Sequence, residues 1–479
     1  MLKDKVNISN SQKEKLDPLL LKISIILVVG SLAPLLDSTM VNVALKTIVS
    51  NLKSSVSVVQ WITTGYALAM GIVVPISGWA SNRFGGKKVY MFSLTVFLAS
   101  SVLSAISWNI TSLIAFRLLQ GFGAGLMLPT VQTLLVHAAG GKNLGRVMSI
   151  ISIPALFGPI LGPMLGGVIV DSLSWRWIFY VNIPVTIIAL FLTWWGLPDD
   201  KLSNNKQSLD FIGIILLSPA FAILIYGISQ IKSHGGFNSS AVIAPILIGI
   251  LLLAMFVAYA LNTKNSPVID LQLFKSRNFS AATVLLFLSG IITNGAMLLL
   301  PLFYQQVRGE SILYTGLLLI PQGIGMLLTR SQVGSLTDRI GSRIIVFVSI
   351  IVTILGTLPF AFADLNTNQV LLSAALLIRG AGLGGVSIPI MASAYEGLSK
   401  EQVPHASIST RIFQTIGGAF GSAILATIVQ HQLSSVHSIN VQAISNAYNT
   451  AFWWSIGFTV IALLPALLLP MRKNSNAVK

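Results

Sequence analysis

The sequence predicts an all-α membrane protein in which two six-helix bundles flank two additional transmembrane helices, fourteen spans in all. Three observations carry this expectation. Of 479 residues, 54% are hydrophobic and 9% charged, with a mean hydropathy of +0.82, a balance outside that of water-soluble domains. Apolar runs long enough to cross about 30 Å of hydrocarbon recur along the whole chain. A polar signature that follows the second run returns in related form 256 positions later.

The elements follow in order. Residues 1–19, "MLKDKVNISNSQKEKLDPL", read as a polar tail and not a signal peptide, because the apolar run behind them is too long and no small-residue cleavage site follows. The first bundle, 20–197, holds spans near 20–45, 58–80, 89–107, 110–136, 147–170 and 177–197. The segment 198–278 is a linker that opens with "PDDKLSNNKQSLD" and carries two extra spans near 211–230 and 241–261. The second bundle, 279–471, holds spans near 279–304, 313–336, 344–362, 370–392, 406–430 and 451–471. Residues 472–479 form a second polar tail.

Charge sets the orientation. With the N-terminus inside, the inside segments carry 20 Lys and Arg, among them Lys87, Arg146 and Arg343, and the outside segments carry 5: Lys46, Lys53, Arg176, Lys232 and Arg308. This bias predicts a plasma-membrane protein with both termini cytoplasmic, and it accounts for the net charge of +16 without nucleic acid as a partner. The absence of cysteine excludes disulfides and thiolate chemistry, and the five histidines lack metal-ligand spacing. The stretch "RGAGLGG", Arg379 to Gly385, lies inside an apolar span and lacks the Gly-Lys-Ser/Thr ending of a phosphate loop. No cofactor, metal or ATPase partner is therefore expected, and an ion gradient is the expected driving force.

The two halves look duplicated. "GWASNRFGGKK" (Gly78, Asn82, Arg83, Gly85, Lys87) and "GSLTDRIGSR" (Gly334, Asp338, Arg339, Gly341) share G-x-x-x-[ND]-R-x-G at one offset and at the same cytoplasmic turn of each half. Further motifs are "LDSTMVNVAL" in the first span, "RLLQGFGAG" in the fourth, "GPILGPMLGG" in the fifth and "SWRWIFYVNIP" at the sixth. On these residues the chain resembles the major facilitator superfamily, and within it the fourteen-helix drug:proton antiporters. The resemblance spans nearly the whole chain and implies alternating access, with protons, drugs or other toxic amphiphiles, and membrane lipids as partners. The fifth-span motif implies export. Its Gly158, Gly162 and Gly166 recur every four residues, so they share one helix face and permit close helix approach, while Pro159 and Pro163 remove backbone donors and bend the helix; Gly167 completes the motif. Plain helix packing explains these glycines as well; a seal or hinge is what the resemblance adds. Two departures stand out: Lys46 where the family has Pro, and Asn82 where it has Asp. The resemblance implies that the loop Asp joins a charge network steadying the outward-closed state. Asn82 can cap a helix but cannot pair with Arg, whereas Asp338 can.

One acid stands apart. Of fourteen carboxylates, Asp37 alone is deep within a span. A charge there costs roughly 2.5 to 3.5 kcal/mol even on insertion scales, so a partner is expected. Asp37 lies eight residues before the outer end of its span and Arg117 seven after the outer start of the fourth, which puts both on the order of 10 to 12 Å below the outer surface. The pair is either a permanent strut between two helices or the proton-coupling site, burial raising the acid's pKa and Arg117 lowering it. Candidate substrate residues at suitable depth are Asn42, Tyr66, Gln120, Asn294, Gln322 and Gln414, each equally explicable as an interhelical hydrogen bond. Arg330, Arg379 and Arg411 also fall within spans and suit lipid head groups, backbone carbonyls or an anionic substrate.

The function expected is a proton-coupled multidrug exporter, not an enzyme, for lipophilic monocationic or neutral compounds. An exporter of an endogenous lipid, peptide or metabolite is the nearest rival. A non-transporting sensor or scaffold would need neither the deep acid nor the duplicated loop.

Overall fold

In the computed structural model, residues 17–54, 56–59, 61–140, 144–152, 154–199, 210–233, 239–263, 267–399, 402–434 and 441–471 are described. The polar tails beyond 17 and 471 and the linker residues 200–209 lie outside them. The first half comprises α1 (Pro18–Asn51), the short α2 (Val56–Val59), α3 (Trp61–Phe84), α4 (Gly86–Ala105), α5 (Ile110–Ala139), α6 (Leu144–Ser152), α7 (Pro154–Ser172), α8 (Trp177–Tyr180) and α9 (Asn182–Gly196). Two helices follow, α10 (Phe211–Ser233) and α11 (Ser240–Asn262). The second half comprises α12 (Arg277–Gln306), α13 (Ile312–Leu318), α14 (Ile320–Ile340), α15 (Ser342–Thr357), α16 (Gln369–Tyr395), α17 (Gln402–Ser434), α18 (Val441–Ile461) and α19 (Leu463–Ala466). The described residues contain no strand.

Polar residues at the ends of the apolar runs start these helices. Asp17 accepts from the Leu19 amide ahead of α1, Asn109 and Ser112 form a reciprocal capping box at α5, and Ser276 and Asn368 cap α12 and α16. Among the described residues, twelve helices are long and apolar enough to cross a membrane, against fourteen spans expected. The fifth and tenth expected spans are the two outside that count: residue 153, between α6 and α7, lies outside the described residues, whereas the tenth is divided at Leu319 into α13 and α14, and α14 carries Gln322, Arg330, Gln332, Asp338 and Arg339. Pro321 sits in the first turn of α14, where its missing amide hydrogen suits the start of a helix.

The duplication seen in the loop signatures is also a duplication of packing. In the first half α1 lies on α7, and α5 lies on both α3 and α4; in the second, α12 lies on α17, and α16 on both α14 and α15. Glycines make the closest approaches. Gly121 and Gly125 of α5 press on the backbone of Tyr66 and Met70 of α3, and Gly380 and Gly384 of α16 press on the backbone of Gln322 and Met326 of α14. The "RGAGLGG" stretch is thus the second-half counterpart of "RLLQGFGAG": a surface on which any side chain would collide with a neighbouring helix. Between the halves, α10 packs on both α3 and α17, while α11 packs chiefly on α10 and leaves Leu247, Leu251 and Leu261 on the outer surface.

Candidate functional site

Asp37 sits on the α1 face that turns inward with Met40, Val41 and Ala44. That face is held tightly, because Gly162 and Gly166 of α7 abut Thr39 and Met40; Gly167 faces open space, and Gly158, Pro159 and Pro163 lie on the same unbroken helix. The carboxyl is 0% exposed and Arg117 1%. Arg117 Nη1 donates to Asp37 Oδ2 at 2.5 Å, and Oδ1 accepts from Asn182 Nδ2 at 2.9 Å and Gln120 Nε2 at 3.3 Å. The guanidinium also donates to Gln120 Oε1 (2.6 Å) and to the Ile62 carbonyl (3.2 Å), and it lies over the Tyr66 ring, 4.2 Å from the centroid. Ser101 Oγ accepts the remaining Gln120 bond at 2.8 Å. One anion and one cation thus cancel inside a shell contributed by α1, α3, α4, α5 and α9, with both carboxyl oxygens satisfied.

Two residues proposed for substrate, Tyr66 and Gln120, therefore belong to the surroundings of the acid. A third, Gln322, accepts from Arg379 Nη1 at 2.8 Å; Arg379 further donates to Thr357 Oγ1 (3.1 Å) and the Ile292 carbonyl (3.4 Å). Asn42 and Asn294 are exposed and Gln414 is half-buried; Asn42 donates to the Ser38 carbonyl at 3.3 Å, and Asn294 lies against Gly418 of α17. The six do not converge on one pocket. Sequence reasoning passed over Asn182 and Ser101; Asn182 had a signal, being the one amide in "WIFYVNIP".

The paired loop signatures share a geometry. Gly85 and Gly341 have φ of 91° and 90°, the conformation that lets one helix end and the next begin at once, which only glycine adopts without strain. Gly78 abuts Pro404 and Ile408 of α17, and Gly334 abuts Gly145 and Ser149 of α6, so each signature admits a helix of the opposite half. Asp338 Oδ1 accepts from the Gly145 amide (2.9 Å) and Oδ2 from the Arg146 amide (3.3 Å), capping α6. Asn82 makes no such bond among the described residues. Arg83 and Arg339 are exposed, and Lys87 donates to the Leu197 carbonyl (2.7 Å) and pairs with Asp199 (3.0 Å). At this same end Tyr395 of α16 shares hydrogen bonds with Gln132 of α5 (3.4 Å) and Ser407 of α17 (3.1 Å), and Thr133 bonds Ser407 (3.2 Å).

Comparison with known proteins agrees with the fold. The family model described as Major Facilitator Superfamily matches residues 27–422. The chain is 36% identical, over an alignment 502 positions long, to the multidrug resistance protein B homolog of Mycobacterium tuberculosis, covering 97% of this chain and 93% of that protein. It is 30% identical over 432 residues to the multidrug export protein EmrB of Haemophilus influenzae, covering 90% and 84%. Among solved structures, the human organic anion transporter MFSD10 superposes with a TM-score of 0.63 at 17% identity over 92% of this chain and all of that one. The proton:xylose symporter XylE gives 0.64 at 14% identity over 95% and 96%.

Proposed function

The chain belongs to the Major Facilitator Superfamily, a family of membrane transporters and not of enzymes, and on that premise we propose that it is a proton-coupled exporter of amphipathic toxic compounds. The relatives named for multidrug resistance and export support the substrate class. The observation that carries the coupling is the enclosure of Asp37 by Arg117, Gln120 and Asn182.

Asp37 and Arg117 are the coupling pair in this reading. As an anion the acid holds α1 to α5 and α9. Protonation from outside cancels the attraction to Arg117, loosens the shell and permits the halves to rock. Release of the proton inside restores the pair and leaves a substrate to be carried outward. The boundaries 20–197, 198–278 and 279–471 divide the molecule into two moving halves and an inserted pair of helices, with fourteen passages of the bilayer and both termini cytoplasmic. In that orientation the bonds around Asp338, Tyr395 and Thr133 seal the cytoplasmic end. Asp338 then steadies the state closed to the cytoplasm, the opposite of what the resemblance implied for the loop acid. Asn42, Asn294 and Gln414 remain the residues proposed to meet the substrate.

The seal gives a prediction. Asp338→Ala removes a helix cap worth about 1 kcal/mol, about a fivefold shift in population toward the state open at that end. The native chain has no cysteine, so spin labels at Ala138→Cys and Ile340→Cys report the distance across the seal cleanly. An unchanged distance distribution in Asp338→Ala removes the gating role.

A second prediction concerns charge. One carboxyl carries about one proton, so exchange for a monocation moves no net charge and draws only on the pH gradient, about 1.36 kcal/mol per unit. A dication would also work against the membrane potential, about 2.3 kcal/mol per 100 mV. Monocationic and neutral drugs should therefore be favoured over dications. Vesicles with independently set pH gradient and potential test the reading; monocation flux driven by potential alone, or divalent compounds carried equally well, would demand a second titrating group.

A further inference from the structure

Two further arginines within spans lack an ion-pair partner among the described residues: Arg379, which has neutral acceptors, and Arg411, which has none. Arg411, on α17, makes no hydrogen bond or ion pair with the described residues, and the Asp37 carboxyl is already taken by three donors. Its side chain lines a cleft bounded by Met70, Gly71 and Val74 of α3, Phe221 and Ile225 of α10, and Ile412, Thr415 and Ile416 of α17. The cleft lies just beyond the contact of Gly78 with Ile408, at the seam between the halves, with α10 as its third wall.

From this arrangement we infer that the cleft between α3, α10 and α17 is a binding site for the acidic group of an amphiphile, a carboxylate, sulfonate or phosphate, with Arg411 as its counter-ion. A guanidinium has five donors and cannot shed its charge, so a half-buried one facing a largely apolar cleft is a ready partner for an acceptor that enters it. The remaining walls are apolar apart from Thr415, and the cleft is narrow, so it suits an acidic head inside with the acyl or aryl body lying along the apolar side chains at its mouth. A cation placed here would meet Arg411 as a like charge, so this site differs in preference from the one proposed around Asp37. Gly71 makes the space: a Cβ there would meet the Ile225 Cδ1 at 3.3 Å. The occupant is either a transported acid or a membrane lipid, and α10, the first of the two inserted helices, gains a role as the wall of that site.

The test measures binding by the full chain in phosphatidylcholine nanodiscs, with 11-(dansylamino)undecanoic acid as the probe and the alkylammonium of equal length as its control. The acid should bind about tenfold more tightly than the ammonium, Arg411→Gln should lower acid affinity about tenfold and leave the ammonium unchanged, and Arg411→Lys should recover most of the loss. Gly71→Leu, which fills the cleft without touching charge, should weaken the acid as strongly. Wild-type acid affinity in Arg411→Gln, or equal loss of both probes, overturns the inference. The site does not depend on proton coupling, so acid binding should persist in Asp37→Asn, which keeps a failure of this site distinct from a failure of the coupling reading. Displacement of the acid by phosphatidylglycerol identifies a lipid as the occupant, whereas export of the acid along a pH gradient in proteoliposomes identifies a transported compound.

Discussion

Asp37→Asn should leave the chain inserted in the membrane and unable to pump. In the wild type each carboxyl oxygen accepts from donors, Oδ2 from Arg117 and Oδ1 from Asn182 and Gln120. An amide of the same shape offers only one acceptor atom. If its oxygen faces Arg117, its NH2 faces the Asn182 and Gln120 donors, and Gln120 cannot turn to help without giving up its own bond from Arg117. The variant therefore loses stability, within the roughly 3 to 5 kcal/mol that accompanies breaking a buried pair. The close α1 to α7 contact at Gly162 and Gly166 does not involve the carboxyl and holds the helix in place. Function should suffer far more, because an amide exchanges no proton. One proton per cycle sustains about a tenfold concentration ratio per pH unit, and the variant should sustain none, only equilibrating its substrate. Substrate accumulation against a gradient by Asp37→Asn vesicles, or undiminished drug resistance in cells, ends the coupling role. Asp37→Glu, which restores a titrating group, should recover part of the gradient.

The fold and the acid were legible because both rest on cost. An apolar run of membrane length has few alternatives, and a lone carboxylate within one requires a partner at similar depth, which points to Arg117 before any coordinates exist. The shell was less legible because it depends on which faces of five helices meet. Gln120 lies three residues after Arg117, so a helix puts both on one face; that register, more than depth, was the clue that Gln120 belongs with the acid. Asn182 comes from the start of α9, 145 positions from Asp37, and nothing local ties the two together. The loop signature could be found by its repetition, but its physical content needed the turn at Gly85 and Gly341 and the opposite-half neighbours of Gly78 and Gly334. The glycines of "RGAGLGG" were negative evidence in sequence, a phosphate loop in the wrong place. Their positive meaning appeared only against the backbones of α14 and α15.

Arg117→Ala and Arg379→Ala should separate sharply, although each arginine is 1% exposed and each lies on the glycine-bearing helix of its half. The partners differ. Arg379 donates to a threonine hydroxyl, a glutamine oxygen and a backbone carbonyl, all neutral. Its removal leaves acceptors that cost about 1 to 3 kcal/mol when orphaned, offset in part because a buried charge has gone as well. Removing Arg117 instead strands an anion with only the Asn182 and Gln120 amides for company. With no cation beside it, gain or loss of a proton on the acid no longer makes or breaks the attraction between α1 and α5, so the switch that couples the two is gone. Arg117→Ala should thus abolish gradient-driven efflux, while Arg379→Ala keeps efflux per folded molecule and loses mainly yield and thermal stability. The double variant Asp37→Asn/Arg117→Ala sharpens the test. With neither charge present it should lose less stability than the two single losses added together, by a coupling energy within about 0.5 to 3 kcal/mol, yet remain inactive. Thermal midpoints in detergent and uptake into vesicles measure both quantities. Equal loss of coupled transport in the two single variants would show that the pair is a strut between α1 and α5 and that protons cross elsewhere, and stability losses that simply add would show that the two side chains do not act as a pair.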